Sequence, residues 1–191
     1  MNRPQWNAMR IRQELAVAEV EFGIAIDQSK PVLLGVRGYF QDSMGKPGEN
    51  DRGIYDDAMF LISPKGWASY NANTDPSRHG INDDIDKGYA VLMRGVYDYQ
   101  LGIHGLKKPR DQQYKALVQL GNVNIKRDGQ DKIYAGKFGI NIHRGGEAGT
   151  SSAGCQTVLR AQWQQFITTV EDWMRDYGQY KIQYALIEEQ G

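Results

Sequence analysis

The chain is poor in the residues that staple or ligate. Its 191 residues include one cysteine, Cys155, and three histidines. A single cysteine excludes an internal disulfide and any cysteine-rich zinc site, leaving a buried apolar thiol or a reactive one. A charge bias is also missing. The 23 Lys and Arg residues balance 23 Asp and Glu, so a general nucleic-acid binder, which needs a basic surplus, is not expected. The short basic run "GLKKPR" (105–110) reads as a solvated loop. No window approaches the ~18 apolar residues that mark a membrane span, and no membrane insertion is expected. The first 23 residues lack the apolar core of a secretory signal, being broken by Arg10, Arg12, Glu14, Glu19 and Glu21. Synthesis in the cytoplasm without a signal peptide is the corresponding expectation.

What is present is patterned for an α+β, mainly β, domain. Residues 4–22 predict a helix, with Ile11, Leu15, Ala18 and Phe22 on one stripe and Pro4 in its first turn. "PVLLGVRGYF" (31–40) predicts a strand, and "DDAMFLIS" and "WASYNANTD" flank a "PKG" hairpin turn. Segments 41–53 and 76–88 read as loops. "YAVLMRGVYDYQLGIHG" (89–105) predicts one or two strands, and "KALVQL", "NVNIKRDG" and "FGINIH" continue the β pattern. A strong amphipathic helix spans Trp163, Phe166, Ile167, Val170, Trp173, Met174 and Tyr177 and stops at Gly178. "YKIQYALIEE" closes the chain as a strand. Without regular βαβ alternation, a doubly wound sheet is not expected. The organisation expected is an N-terminal helical segment over 1–30 packed on one domain over 31–191.

The chemistry-bearing stretch is "GINIHRGGEAGTSSAGCQTV" (139–158), which holds Cys155 and His143. His143 ends a predicted strand, where a side chain is held firmly yet presented to a cleft. Small residues before Cys155 let a substrate carbonyl approach and let backbone N–H groups turn towards it. A thiol attacks as the thiolate, and a neighbouring imidazole can take its proton, which suits acyl transfer from an amide or ester. Candidates to orient the imidazole are Asp128, Asp98 or a backbone carbonyl. His104, in a second His-Gly pair, and Tyr97 are candidates to orient His143 or bind substrate. Ser152 reads as a turn former. Asn73 and Asp75 sit in a turn-rich stretch and are weaker candidates for substrate contact.

The pattern H-x-G…S-x-G-C resembles the L,D-transpeptidase catalytic domain family (YkuD-like). His143 and Gly145 match its histidine and glycine, and Ser152, Gly154 and Cys155 match its serine, glycine and nucleophile. The resemblance covers about 88–158 and is sharp only over 139–158. It implies an L,D-transpeptidase-like β-sandwich or sheet and a cysteine-dependent enzyme. Such an enzyme acts on L,D-linked peptidoglycan stem peptides through an acyl-enzyme, with the cysteine's own N–H in the oxyanion hole. It implies no cofactor and no metal. The family usually carries an arginine shortly after the cysteine. Gln156, Thr157 and Val158 stand there instead, leaving Arg144 or Arg160 to supply the charge. The His-to-Cys spacing is also short, as in a divergent phage-encoded or effector-type member. Such a member reaches the wall by release, injection or secretion, with a delivery or secretion partner.

Three other readings compete. A zinc-dependent cell-wall amidase or peptidase would use His79, His104 and His143, although no H-E-x-x-H spacing is present. A non-catalytic wall-associated structural module would have no need of the intact His, Ser-x-Gly and Cys set. A papain-like peptidase would place its cysteine before its histidine, the reverse of the order here.

Overall fold

Hydrophobic alternation sorts the strands into two faces, and each face has its own core. The computed structural model describes residues 2–40, 45–46, 50–77 and 88–189. In β1 (Val32–Arg37), β2 (Asp57–Ser63) and β11 (Ile182–Glu188), almost every residue is buried. Leu33, Met59, Leu61, Ile182, Tyr184 and Leu186 point into the larger cluster. Their alternates Val32, Leu34, Phe60, Ile62 and Ala185 point the other way into a second cluster. That second cluster is covered by α1 (Ala8–Phe22), through Ile11, Leu15 and Ala18.

The main sheet also contains β3 (Gly66–Asn73), β5 (Gly95–His104), β6 (Tyr114–Gln119), β9 (Ile142–Arg144) and β10 (Gln156–Val158). It closes into a barrel in the order β1-β11-β5-β6-β9-β10-β3-β2, where the family resemblance implies a β-sandwich or sheet. The β1–β11 and β9–β10 pairs are parallel and the rest antiparallel. A second sheet pairs β4 (Ala90–Leu92), β7 (Val123–Arg127) and β8 (Ile133–Gly136), in the order β4-β7-β8. The stretch 89–105 therefore gives two strands, one in each sheet.

The final helix, α2 (Arg160–Asp176), packs on β3, β9 and β10. Trp163, Phe166, Ile167, Val170 and Met174 join the larger core, each worth roughly 1.5–3 kcal/mol of apolar burial. Gly178 follows at φ 62°, the left-handed stop expected after a helix. Among the described residues no helix is long and apolar enough to cross a membrane.

Three local expectations are corrected. Helix α1 begins at Ala8 instead of at residue 4, because Asn7 caps it by accepting the Arg10 N–H at 2.9 Å, a contact worth about 1 kcal/mol. Pro4 lies before the helix. "FGINIH" is strand only at its end, because Gly139 sits at φ 73° and breaks the extended backbone. Strands β8 and β10 were not foreseen. The loop reading over 76–88 falls mostly outside the described residues, that over 41–53 partly so, and His79 lies outside them.

Candidate functional site

Strand parity brings the histidine and cysteine together. In the parallel β9–β10 ladder, Ile142 faces Gln156 and His143 faces Thr157. Ile142 and Val158 point into the core. Gln156 does too, accepting the Tyr184 hydroxyl at 3.1 Å. Successive side chains alternate faces, so His143 and Cys155 lie on the opposite face, one diagonal step apart across the ladder. Both line an open cleft of about 500 Å³, with His104, Lys108, Asp111, Tyr114, Arg144, Gly145, Ser152 and Arg160 among its walls.

The loop before the cysteine is shaped by Ser152. Its hydroxyl donates to the Cys155 carbonyl at 2.5 Å and accepts the Gly154 N–H at 3.0 Å, which is the turn-forming role expected of it. The Ser152 N–H and carbonyl both engage Ser77. Gly154 adopts φ 154°, and a Cβ there would meet the Ala90 carbonyl oxygen at 2.9 Å. Gly145 is needed for space: a Cβ there would overlap the Tyr55 hydroxyl at 1.8 Å. The Gly154 N–H is taken by Ser152, whereas the Ala153 and Cys155 N–H groups make no hydrogen bond among the described residues.

The half-buried Cys155 thiol donates to the Gly139 carbonyl at 3.3 Å, and its sulfur accepts the Asn141 N–H at 3.4 Å. Burial pushes the thiol pKa up, against the smaller opposing pull of the Asn141 N–H. His143 is 6% exposed. Its Nδ1 lies 2.8 Å from the Arg144 carbonyl and 3.3 Å from the Tyr114 hydroxyl. A carbonyl can only accept, so Nδ1 carries the proton and Nε2 is left with its lone pair. Burial first, then His104, lowers the His143 pKa to about 4. At neutral pH the pair is therefore a thiol and a neutral imidazole. No hydrogen bond joins them in this arrangement; the thiol must leave the Gly139 carbonyl to meet the imidazole.

The other anticipated residues divide sharply. The orienting group is the Arg144 backbone carbonyl, not Asp128 or Asp98. Asp128 is held by Arg52 through two bonds of 2.8 and 3.0 Å, and Asp98 pairs with Lys181 at 2.7 Å. Tyr97 does not reach the cleft; it is buried and donates to the Met93 carbonyl at 2.8 Å. Asn73 and Asp75 are also buried away from the cleft. His104 does reach it, its ring stacked on His143 with centroids 4.1 Å apart and planes 25° apart. Arg144 lies over the Tyr114 ring at 4.5 Å, and Arg160 pairs with the exposed Glu147 at 3.1 Å. The cations of the cleft thus come from the end of β9, the start of α2 and Lys108, since Gln156 is turned inwards.

Tyr114 is a site residue that the sequence reading missed, as is Asp111; Tyr114 contacts His143 directly. It stands opposite His104 in the β5–β6 register, a placement with no local sequence mark. Among the described residues no three His, Cys, Asp or Glu side chains converge as a metal cluster. No family model, no curated protein and no solved structure matches the chain.

Proposed function

We propose that the protein is a cysteine-dependent peptidoglycan-processing enzyme, acting on L,D-linked stem peptides through an acyl-enzyme on Cys155. The observation that carries this reading is the placement of Cys155 and His143 on one face of adjacent parallel strands, at one cleft, with Nδ1 of His143 held by a carbonyl. The similarity of 139–158 to the L,D-transpeptidase pattern supports the substrate class. In this mechanism Cys155 Sγ attacks the substrate carbonyl carbon as its proton passes to His143 Nε2. The Cys155 N–H faces the developing oxyanion. Collapse of the tetrahedral intermediate breaks the C–N bond, and His143 returns the proton to the leaving amine. Water or a second amine then attacks the thioester, giving hydrolysis or transpeptidation. Arg144 and Arg160 are the cations placed to meet a substrate carboxylate. The protein would act in the periplasm or at the cell wall after release, injection or secretion.

The test is mass spectrometry of the protein incubated with disaccharide-tetrapeptide. The expected result is a covalent adduct mapped to Cys155, and loss of adduct and product in Cys155→Ala. Unchanged product formation by Cys155→Ala overturns the reading. Loss of activity on chelation, with Cys155→Ala active, favours the zinc alternative instead.

A further inference from the structure

His104 carries an unexplained feature. Its Nδ1 is enclosed by protein and has no hydrogen-bond partner among the described residues, although its ring lines the cleft, stacked on His143. Buried nitrogens without partners are rare enough to need a reason. An imidazole protonated at both nitrogens must donate twice. At His104 the Nδ1 proton would have no acceptor, so the ring is held in the neutral form with its proton on Nε2, towards the cleft.

Neutrality matters because of what else faces the two rings. Lys108 follows β5, Asp111 lies in the short helical turn before β6, Tyr114 is on β6, Arg144 on β9, Arg160 on α2, and Cys155 precedes β10. These walls already hold three cations against one carboxylate. A charged His104 at 4.1 Å would oppose any positive charge gained by His143. A neutral ring presents only a π-face, which tolerates an imidazolium and keeps it from turning.

We propose that His104 is a positioning residue of the thiol site: stacked on His143 and lacking an acceptor at Nδ1, it stays uncharged and fixes the His143 ring with Nδ1 on the Arg144 carbonyl and Nε2 open to the cleft. This rests on the reading of Cys155 and His143 as nucleophile and base. Burial lowers the pKa of His104, with Lys108 adding to the effect, in the same direction as the geometry.

The experiment uses the full chain and needs no peptidoglycan. Iodoacetamide alkylation of Cys155 is followed from pH 5 to 9, and the histidine ring nitrogens are followed by 15N NMR, in wild type, His104→Phe, His104→Ala and His143→Ala. In wild type, His104 should remain the Nε2–H tautomer and His143 the Nδ1–H tautomer at pH 7. His104→Phe preserves a neutral stacking face and should keep the His143 tautomer and an alkylation rate within about twofold. His104→Ala should leave His143 a mixture of tautomers and slow alkylation by about five- to tenfold at pH 7, the scale of a lost orienting contact. The inference is overturned if His104 titrates with an ordinary midpoint near 6.5, if His104→Ala changes neither tautomer nor rate, or if His104→Phe is as slow as His104→Ala. If His143→Ala slows alkylation and His104→Ala does not, the inference alone fails. If His143→Ala has no effect, the nucleophile–base reading fails and takes the inference with it.

Discussion

Two buried clusters of titratable groups lie in this fold, and they are built on opposite plans. In the carboxylate cluster, Arg37 pairs with Asp75 at 3.1 Å and also donates to the Thr74 and Leu92 carbonyls at 2.7 and 3.0 Å. Asp57 accepts the Gly38 N–H, the Thr74 N–H and the Thr74 hydroxyl at 2.6, 2.6 and 2.8 Å. These bonds tie β1, the end of β3 and β4, and so the barrel to the small sheet. In the thiol cleft the partners run out: His143 is bound at one nitrogen, and His104 Nδ1 at none. Asp57 has the more strongly raised carboxyl, reaching about 7 through burial and the nearby Asp75 and Asp56, yet its oxygens are occupied and face no cleft. A perturbed pKa thus marks both clusters, while unspent hydrogen-bonding capacity on a cavity wall marks one.

The contrast can be broken at three points. The largest effect is expected at Arg37. Arg37→Met leaves Asp57 and Asp75 buried without their cation and should cost about 3–5 kcal/mol of stability, read from urea unfolding. Alkylation of Cys155 in the folded fraction should stay near the wild-type rate; a selective loss would mean the clusters are coupled.

The next effect is in pH dependence. Asp57 is protonated more readily when folded, so its contribution to stability is full below about pH 4 and is lost as pH rises towards 7. His143 acts with the opposite sign. Its lowered pKa contributes stability above about pH 6.5 that is lost as pH falls towards 4. Urea unfolding from pH 4 to 8 should show that Asp57→Asn removes the falling component and leaves the rising one. A parallel pair of curves would show that Asp57 does not titrate in this range.

The smallest effect belongs to Tyr114. Its hydroxyl contacts His143 Nδ1 at 3.3 Å and the Arg144 carbonyl at 3.4 Å, both long for hydrogen bonds. Tyr114→Phe keeps the ring under Arg144 and should slow Cys155 alkylation by less than about fivefold, the scale of one weak hydrogen bond. A loss matching His143→Ala would make the hydroxyl, and not the Arg144 carbonyl, the group that orients His143.

The sequence announces what is local. Helix α2 is visible because its stripe repeats over four turns, and β1, β2 and β11 because they are long and apolar. β10 is three residues long and β8 four, too short for alternation to register. Gly139 hides a bend inside an apparently regular strand. The same division holds in the cleft. His143, Ser152, Gly154 and Cys155 lie within one short stretch and share a recognisable pattern. Tyr114 arrives by a hairpin register, and the Arg52–Asp128 pair joins residues 76 apart. The buried side chain of Gln156 follows from the strand parity of β10, which could be read only once β10 itself was seen.

One feature of the backbone has a wider reach. The parallel β9 and β10 are joined by the eleven residues from Gly145 to Cys155, with no helix between. Parallel neighbours ordinarily need a crossover of about a dozen residues or more. The interval between histidine and cysteine is therefore near the shortest tether that allows the two strands to lie side by side. Evolution or engineering can lengthen this tether from the exposed Ala148 and build a larger roof over the cleft, but shortening it would pull the strands out of register and Cys155 away from His143.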